Sequence, residues 1–182
     1  MAKKRITKVT TKTGDEGTTG MADGSRQIKS HNIINAIGDI DELNSWIGKL
    51  ISLDETKTDR FILIDIQHCL FAIGGSLSLR SEGSITEDDI DAIEIPLNSY
   101  NLKLKELTNF ILPGGHQRAA DIHIARAVCR RCERSMVKLR KSNDVDKRSL
   151  VYINRLSDFL FVLARTVNLR EGVKEIIWNQ KN

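Results

Sequence analysis

Arginine is well suited to grip phosphate oxygens, because its planar fork donates two hydrogen bonds at once. Arg126, Arg130, Arg131 and Arg134 lie within two turns of a single stretch. At about 100° per residue in a helix, His123, Arg126, Arg130, Glu133 and Arg134 share one arc, with Arg131 just beyond it. Glu133 can hold those arginines in place. The same pattern also describes an ordinary salt-bridged helix surface, so it points to an anion without naming one. A second candidate is Thr11-Lys12-Thr13-Gly14-Asp15-Glu16-Gly17-Thr18-Thr19. Its glycines let backbone N–H groups turn toward an anion, and its hydroxyls and Lys12 add donors. It lacks the Gly-Lys-Ser/Thr ending of a Walker A loop, and by composition alone it equally fits a flexible surface loop. A third set, Asn154, Asp158, Phe161 and Arg165, falls on one helical face. Asn154 there can read a sugar or base, or simply belong to a polar seam between helices.

Other chemistry is discounted. Cys129-x-x-Cys132 lies on an apolar stripe with no second pair, which argues against a metal held by protein side chains. His31, His68, His116 and His123 are scattered at no helical ligand spacing, and no Ser/His/Asp or Cys/His arrangement stands out.

The elements that must position these groups are helices. The chain has 182 residues, 40% hydrophobic and 29% charged, and only two prolines. That fits one globular domain with a real core. Apolar residues recur at helical spacing over about 31–52, with a small and polar face of Gly38, Asp41, Asn44, Ser45 and Gly48 beside them. Further helices are expected over about 57–79, from Thr86 onward with a kink or split at Pro96, over about 117–141 and over about 146–170. The expectation is an all-α, five-helix up-and-down bundle. Residues 1–30 would form an extended N-terminal segment with a possible short strand near Ile6–Thr11, residues 31–172 the bundle, and residues 173–182 a C-terminal tail.

Net charge of +4 suggests an anionic partner, but aromatics are 5% and no nucleic-acid reader motif appears. Three cysteines and no apolar leader suggest the reducing cytoplasm. No 18-residue apolar run is evident, so no membrane partner is expected.

Taken together, five stretches in order resemble the trimeric, helical-bundle class of ATP:cob(I)alamin adenosyltransferases. They are Thr11-Lys12-Thr13-Gly14-Asp15 through Thr19, Asp41-Glu42-Leu43-Asn44-Ser45, Phe110-Ile111-Leu112-Pro113-Gly114-Gly115, His123 through Arg134, and Asn154-Arg155-Leu156-Ser157-Asp158 through Arg165. The resemblance covers nearly the whole chain. It implies transfer of the 5′-deoxyadenosyl group of ATP to cob(I)alamin, giving adenosylcobalamin and triphosphate. It implies an ATP site between subunits of a homotrimer, formed by Thr11, Lys12, Thr13, Gly14, Thr19, Gly20, Lys29, Arg130, Arg131, Glu133, Arg134 and Asn154, with Mg²⁺ on the nucleotide. It implies that Asp41 pairs with Arg126 across that interface, and that Phe110 sits beneath the corrin and blocks its lower axial ligand. Arg130 joins these three as a catalytic candidate. A reductase and an adenosylcobalamin-dependent acceptor enzyme are the implied partners. Two rivals are a non-catalytic, ATP-gated adenosylcobalamin carrier and a basic bundle that binds nucleic acid.

Overall fold

A computed structural model describes residues 10–54, 57–81, 83–140 and 145–179. Helix α1 (Asn32–Ser52) starts where the Nδ1 of His31 accepts the N–H of Ile33 at 3.2 Å. Its apolar stripe of Ile33, Ile40, Leu43, Ile47 and Leu50 is buried. Helix α2 (Arg60–Leu79) begins three residues later than the sequence suggests. The connection ahead of it is tied down by Asp54, whose carboxylate accepts the Asp59 N–H at 2.9 Å.

Helix α3 (Glu87–Asn101) opens on a reciprocal capping box between Thr86 and Asp89. The expected split at Pro96 does not occur; the helix runs through it. Proline removes the hydrogen bond to the carbonyl of Ala92, which lies on the exposed side, where solvent can take that acceptor. Helix α4 (Gln117–Arg140) follows a turn in which the Nδ1 of His116 accepts the Arg118 N–H. Helix α5 (Lys147–Arg170) is capped by Asp146. Two of the scattered histidines thus serve as helix caps.

The helices alternate up and down, but their spatial order is not their chain order. Helix α1 packs on α2 and α4, α4 on α5, and α5 on α3. Contacts between Asp39 and Arg131 and between Lys49 and Asp121 run α1 antiparallel to α4. Pairs Glu87–Arg148, Glu94–Arg155 and Tyr100–Phe159 run α3 parallel to α5. The core comes from all five helices, with Tyr152 and Phe159 its largest fully buried side chains. At one end, buried Asp59 accepts from Arg118 at 3.0 Å, Arg170 at 2.9 Å and Tyr100 at 2.8 Å, joining four helix ends.

Outside the helices, the described residues form one antiparallel hairpin, β1 (Thr18–Gly20) and β2 (Arg26–Ile28), with Thr18 opposite Ile28. The strand anticipated near Ile6–Thr11 lies mostly outside the described residues, and Thr10 and Thr11 are not in a strand. Helix α2 corrects the reading that no stretch is apolar enough to span a membrane: by length and composition it is, with hydropathy 1.5. One face of it, Leu63, Ile66, Leu70, Ile73 and Leu77, is buried in the core. Phe61 and Phe71, on its other side, are 78% and 73% exposed.

Candidate functional site

The hairpin builds the N-terminal loop. Lys12 has φ +58° and Gly17 φ +78°, and the chain turns twice between them, with Asp15 donating to the Lys12 carbonyl and Gly17 to that of Gly14. Lys29 extends β2 and donates its N–H to the Gly17 carbonyl at 2.8 Å. Its ammonium lies 3.2 Å from where a Cβ on Gly14 would fall, so glycine leaves the lysine its place. Arg26 braces the loop, donating to the Thr13 carbonyl and the Thr18 hydroxyl, each at 2.6 Å. Sequence reasoning missed Arg26, because no strand was expected over 26–28 to set it beside the loop. Thr19 and Gly20 complete β1. The hairpin tip docks on the end of α2: Ala22 donates to the Ser78 hydroxyl, and Asp23 pairs with Arg80 at 3.7 Å.

On α4, Arg130 and Arg134 are exposed, and among the described residues they make no ion pair or side-chain hydrogen bond. Glu133 accepts from the Asn154 amide at 3.1 Å, and Asn154 in turn accepts from Arg155, which pairs with Glu94. The chain therefore brings together Arg130, Glu133, Arg134 and Asn154. It turns Arg131 away, toward α1, where Asp39 and Glu42 hold it. Ser135 joins this group by donating to Asp39. No hydrogen bond or ion pair among the described residues joins the N-terminal loop to Arg130 or Arg134 of the same chain.

A cleft of about 590 Å³ opens between the loop 107–111 and the side chains of Arg126 and Phe161. Phe110 stands on its rim, 77% exposed. The Phe161 ring is ringed by polar groups: the guanidinium of Arg126 at 5.7 Å, that of Arg165 at 6.0 Å, and the His123 ring at 6.3 Å. The Nε of Arg126 and both ring nitrogens of His123 are buried with no hydrogen-bond partner. Burial, and then the like charge of Arg126, push the His123 pKa down to about 4. Burial and the neighbouring Arg130 lower that of Arg126. No ion pair or hydrogen bond among the described residues joins Asp41 to Arg126 in this chain; Asp41 is exposed on α1, beside a hollow of about 220 Å³ lined by Asn44, Phe71, Gly74 and Gly75.

The loop carrying Phe110 is mounted by residues that the sequence reading did not single out. Asn168 of α5 donates to the Gly114 carbonyl at 3.0 Å and accepts the His116 N–H at 2.9 Å. Residues 173–178, expected only as a tail, return to the loop. Leu112 donates to the Ile176 carbonyl at 2.8 Å, and Trp178 to that of Phe110 at 2.7 Å. Asn168 falls beside Phe161 on the polar face of α5, which was the available signal for it; the tail carried none.

Both α4 thiols are spent on backbone carbonyls, Cys129 on Ile153 and Cys132 on Asp39. Burial pushes the Cys132 pKa up to about 12, so neither is a ready nucleophile. No group of three His, Cys, Asp or Glu side chains is placed to hold a metal among the described residues.

The chain is similar to known proteins in sequence and fold. The cobalamin adenosyltransferase family matches residues 9–167. A cobalamin adenosyltransferase of Cupriavidus metallidurans is 44% identical over 178 residues, covering 97% of each chain. A corrinoid adenosyltransferase of Bacillus subtilis is 39% identical over 93% of this chain and 91% of its own. A solved PduO-type ATP:corrinoid adenosyltransferase variant from Lactobacillus reuteri, complexed with cobalamin and ATP, superposes with a TM-score of 0.90 at 32% identity, covering 95% of this chain and all of that one. On these grounds the chain belongs to the cobalamin adenosyltransferase family.

Proposed function

We propose that the protein transfers the 5′-deoxyadenosyl group of ATP to a cob(I)alamin substrate, as an ATP:cob(I)alamin adenosyltransferase. The observation that carries this reading is the junction on α4. Arg126 faces an apolar cleft rimmed by Phe110 and Phe161, and one turn further on Arg130 and Arg134 stand free for an anion. The Lactobacillus reuteri neighbour holds cobalamin and ATP together.

In this reaction the Co(I) electron pair attacks the 5′ carbon. A cobalt–carbon bond forms, the carbon–oxygen bond breaks, and triphosphate leaves with that bond's electrons. Co(I) is itself a strong nucleophile, so the protein has no proton to remove. Its work is to position ATP, balance the charge of the triphosphate and exclude water. Arg130 and Arg134 take phosphate oxygens, and Lys12, Lys29 and the N–H groups of Thr11 to Gly14 wrap the same chain, with Thr19 and Gly20 behind them. Glu133 and Asn154, already bonded to each other, hold the adenosine part. Mg²⁺ on the phosphates supplies further charge. Phe110 fills the lower face of the corrin.

The complete site lies between subunits of a homotrimer. Two features support this: the N-terminal loop docks on α2 rather than beside Arg130, and the outer face of α2 leaves Phe61 and Phe71 open. Asp41 of one subunit meets Arg126 of the next, giving that half-buried guanidinium a counter-charge. Arg131, held by Asp39 and Glu42, supports the site from behind. The setting is cytoplasmic, in keeping with three free thiols. A reductase supplies Co(I), and an adenosylcobalamin-dependent enzyme receives the product.

The test is anaerobic. Protein, ATP, Mg²⁺ and chemically reduced cobalamin are mixed, the visible spectrum is followed for the cobalt–carbon bond, and triphosphate is assayed. Stoichiometric product over many turnovers is expected. Bound ATP without product would replace catalysis by the carrier function.

A further inference from the structure

Phe110 is 77% exposed on a loop, yet its backbone is fully engaged. Its N–H donates to the Asn109 side-chain oxygen at 2.8 Å, and its carbonyl accepts the Trp178 N–H at 2.7 Å. The Asn109 amide closes the ring by donating to the Trp178 carbonyl at 2.9 Å. The side chains meet as well, with the Trp178 ring 6.4 Å from that of Phe110 in an edge-to-face arrangement. Aromatic pairs of this geometry add a modest directional preference to burial.

The segment carrying Trp178 is itself anchored to the opposite wall of the cleft. Glu175 pairs with Arg165 at 3.1 Å, and Arg165 lies against the Phe161 ring. Residues 173–178 therefore span from α5, which carries Phe161, to the loop, which carries Phe110. The length of that strap sets how far apart the two aromatic rings stand.

We propose that Trp178 is a positioning residue for Phe110: it fixes the ring's height and angle in the cleft, and so governs how completely the lower axial ligand of the corrin is displaced. This rests on the reading of Phe110 as the group beneath the corrin. Without the Trp178 ring, the backbone bonds between strap and loop remain, but the Phe110 side chain loses the edge-to-face neighbour that limits its angle. A loop phenylalanine then samples several rotamers, and only some of them fill the lower face.

The experiment uses the full chain with Co(II) cobalamin and ATP, and reads electron paramagnetic resonance. A nitrogen bound below cobalt splits the signal, and its loss reports displacement of the lower ligand. Trp178→Ala is expected to cut the displaced fraction about tenfold, as a small misplacement of a positioned group does. ATP affinity should stay within about twofold, and Trp178→Phe, which keeps a ring, should recover most of the signal. An unchanged displaced fraction in Trp178→Ala, alongside its loss in Phe110→Ala, overturns the proposal and leaves the role of Phe110 standing. An unchanged fraction in both variants overturns the reading of Phe110 itself, and the proposal with it. If Trp178→Ala loses its helical circular dichroism, Glu175→Gln, which releases the other end of the strap, takes its place with the same expected loss; an unchanged fraction there overturns the proposal.

Discussion

The side-chain amide of Asn168 occupies the space that a Cβ on Gly115 would need: its Oδ1 lies 2.3 Å from that position. Gly115 also has φ +103°, a backbone region that L side chains rarely adopt. The two residues specify each other, and together they fix the exit of the Phe110 loop into α4. Gly115→Ala should lower stability by about 2 kcal/mol, from strain and the displaced amide together. Urea unfolding measures this, and a loss below about 0.5 kcal/mol, the range of neutral surface changes, would contradict the clamp.

Arg130 makes no ion pair among the described residues, so the fold does not depend on it. Arg130→Ala should leave unfolding within about 0.5 kcal/mol of the parent. It should weaken ATP binding about 10- to 100-fold, the worth of a charge-assisted hydrogen bond. Calorimetric titration with ATP decides it, and unchanged affinity would remove Arg130 from the nucleotide site.

Asp59 is fully buried and accepts from three side chains at the ends of α3, α4 and α5. Asp59→Ala strands the Arg170 guanidinium and leaves Arg118 only Asp54. The expected loss is about 3–5 kcal/mol, visible as a large drop in the urea midpoint. A stable variant would mean that Asp54, which also pairs with Arg118 at 3.2 Å, suffices alone.

His123 gives a pH signature. Its pKa is lowered from 6.5 to about 4 in the folded chain. Between those values the unfolded chain binds a proton that the folded one refuses, so the fold loses stability as pH falls through that window. Above pH 6.5 both states are neutral and the effect vanishes. His123→Leu should therefore flatten the pH dependence of unfolding between about 4 and 6.5, by roughly 2–3 kcal/mol over the window. Parallel stability curves for parent and variant would show that the imidazole takes up its proton in the folded state.

The helices were legible because apolar spacing survives without knowledge of the partners, as on α4, where Ile122, Ala125, Val128, Cys129, Cys132, Met136 and Leu139 are all buried. Of the kink or split expected at Pro96, the split does not occur: the carbonyl it frees lies on an exposed face, where solvent serves as donor. Helical spacing set Arg131 just beyond the arc of Arg130 but could not name the acids that claim it, since Asp39 and Glu42 lie some ninety residues earlier. The same distance problem hid Trp178, whose partner Phe110 is fixed by tertiary pairing and by no local pattern.

The Asp59 knot has a consequence for synthesis. Its bonds reach Tyr100 at a separation of 41 residues, Arg118 at 59 and Arg170 at 111. At about 5–20 residues per second, a ribosome needs on the order of 5–20 s to deliver Arg170 after Asp59. During that interval α1 and α2 can pair as a hairpin and the carboxylate can gain Tyr100 and then Arg118, but it lacks Arg170 to the end, so the junction at Asp59 stays incomplete. The nascent bundle therefore closes late and from one end, and its final tightening waits on the last turn of α5, the turn from which the strap toward Phe110 departs.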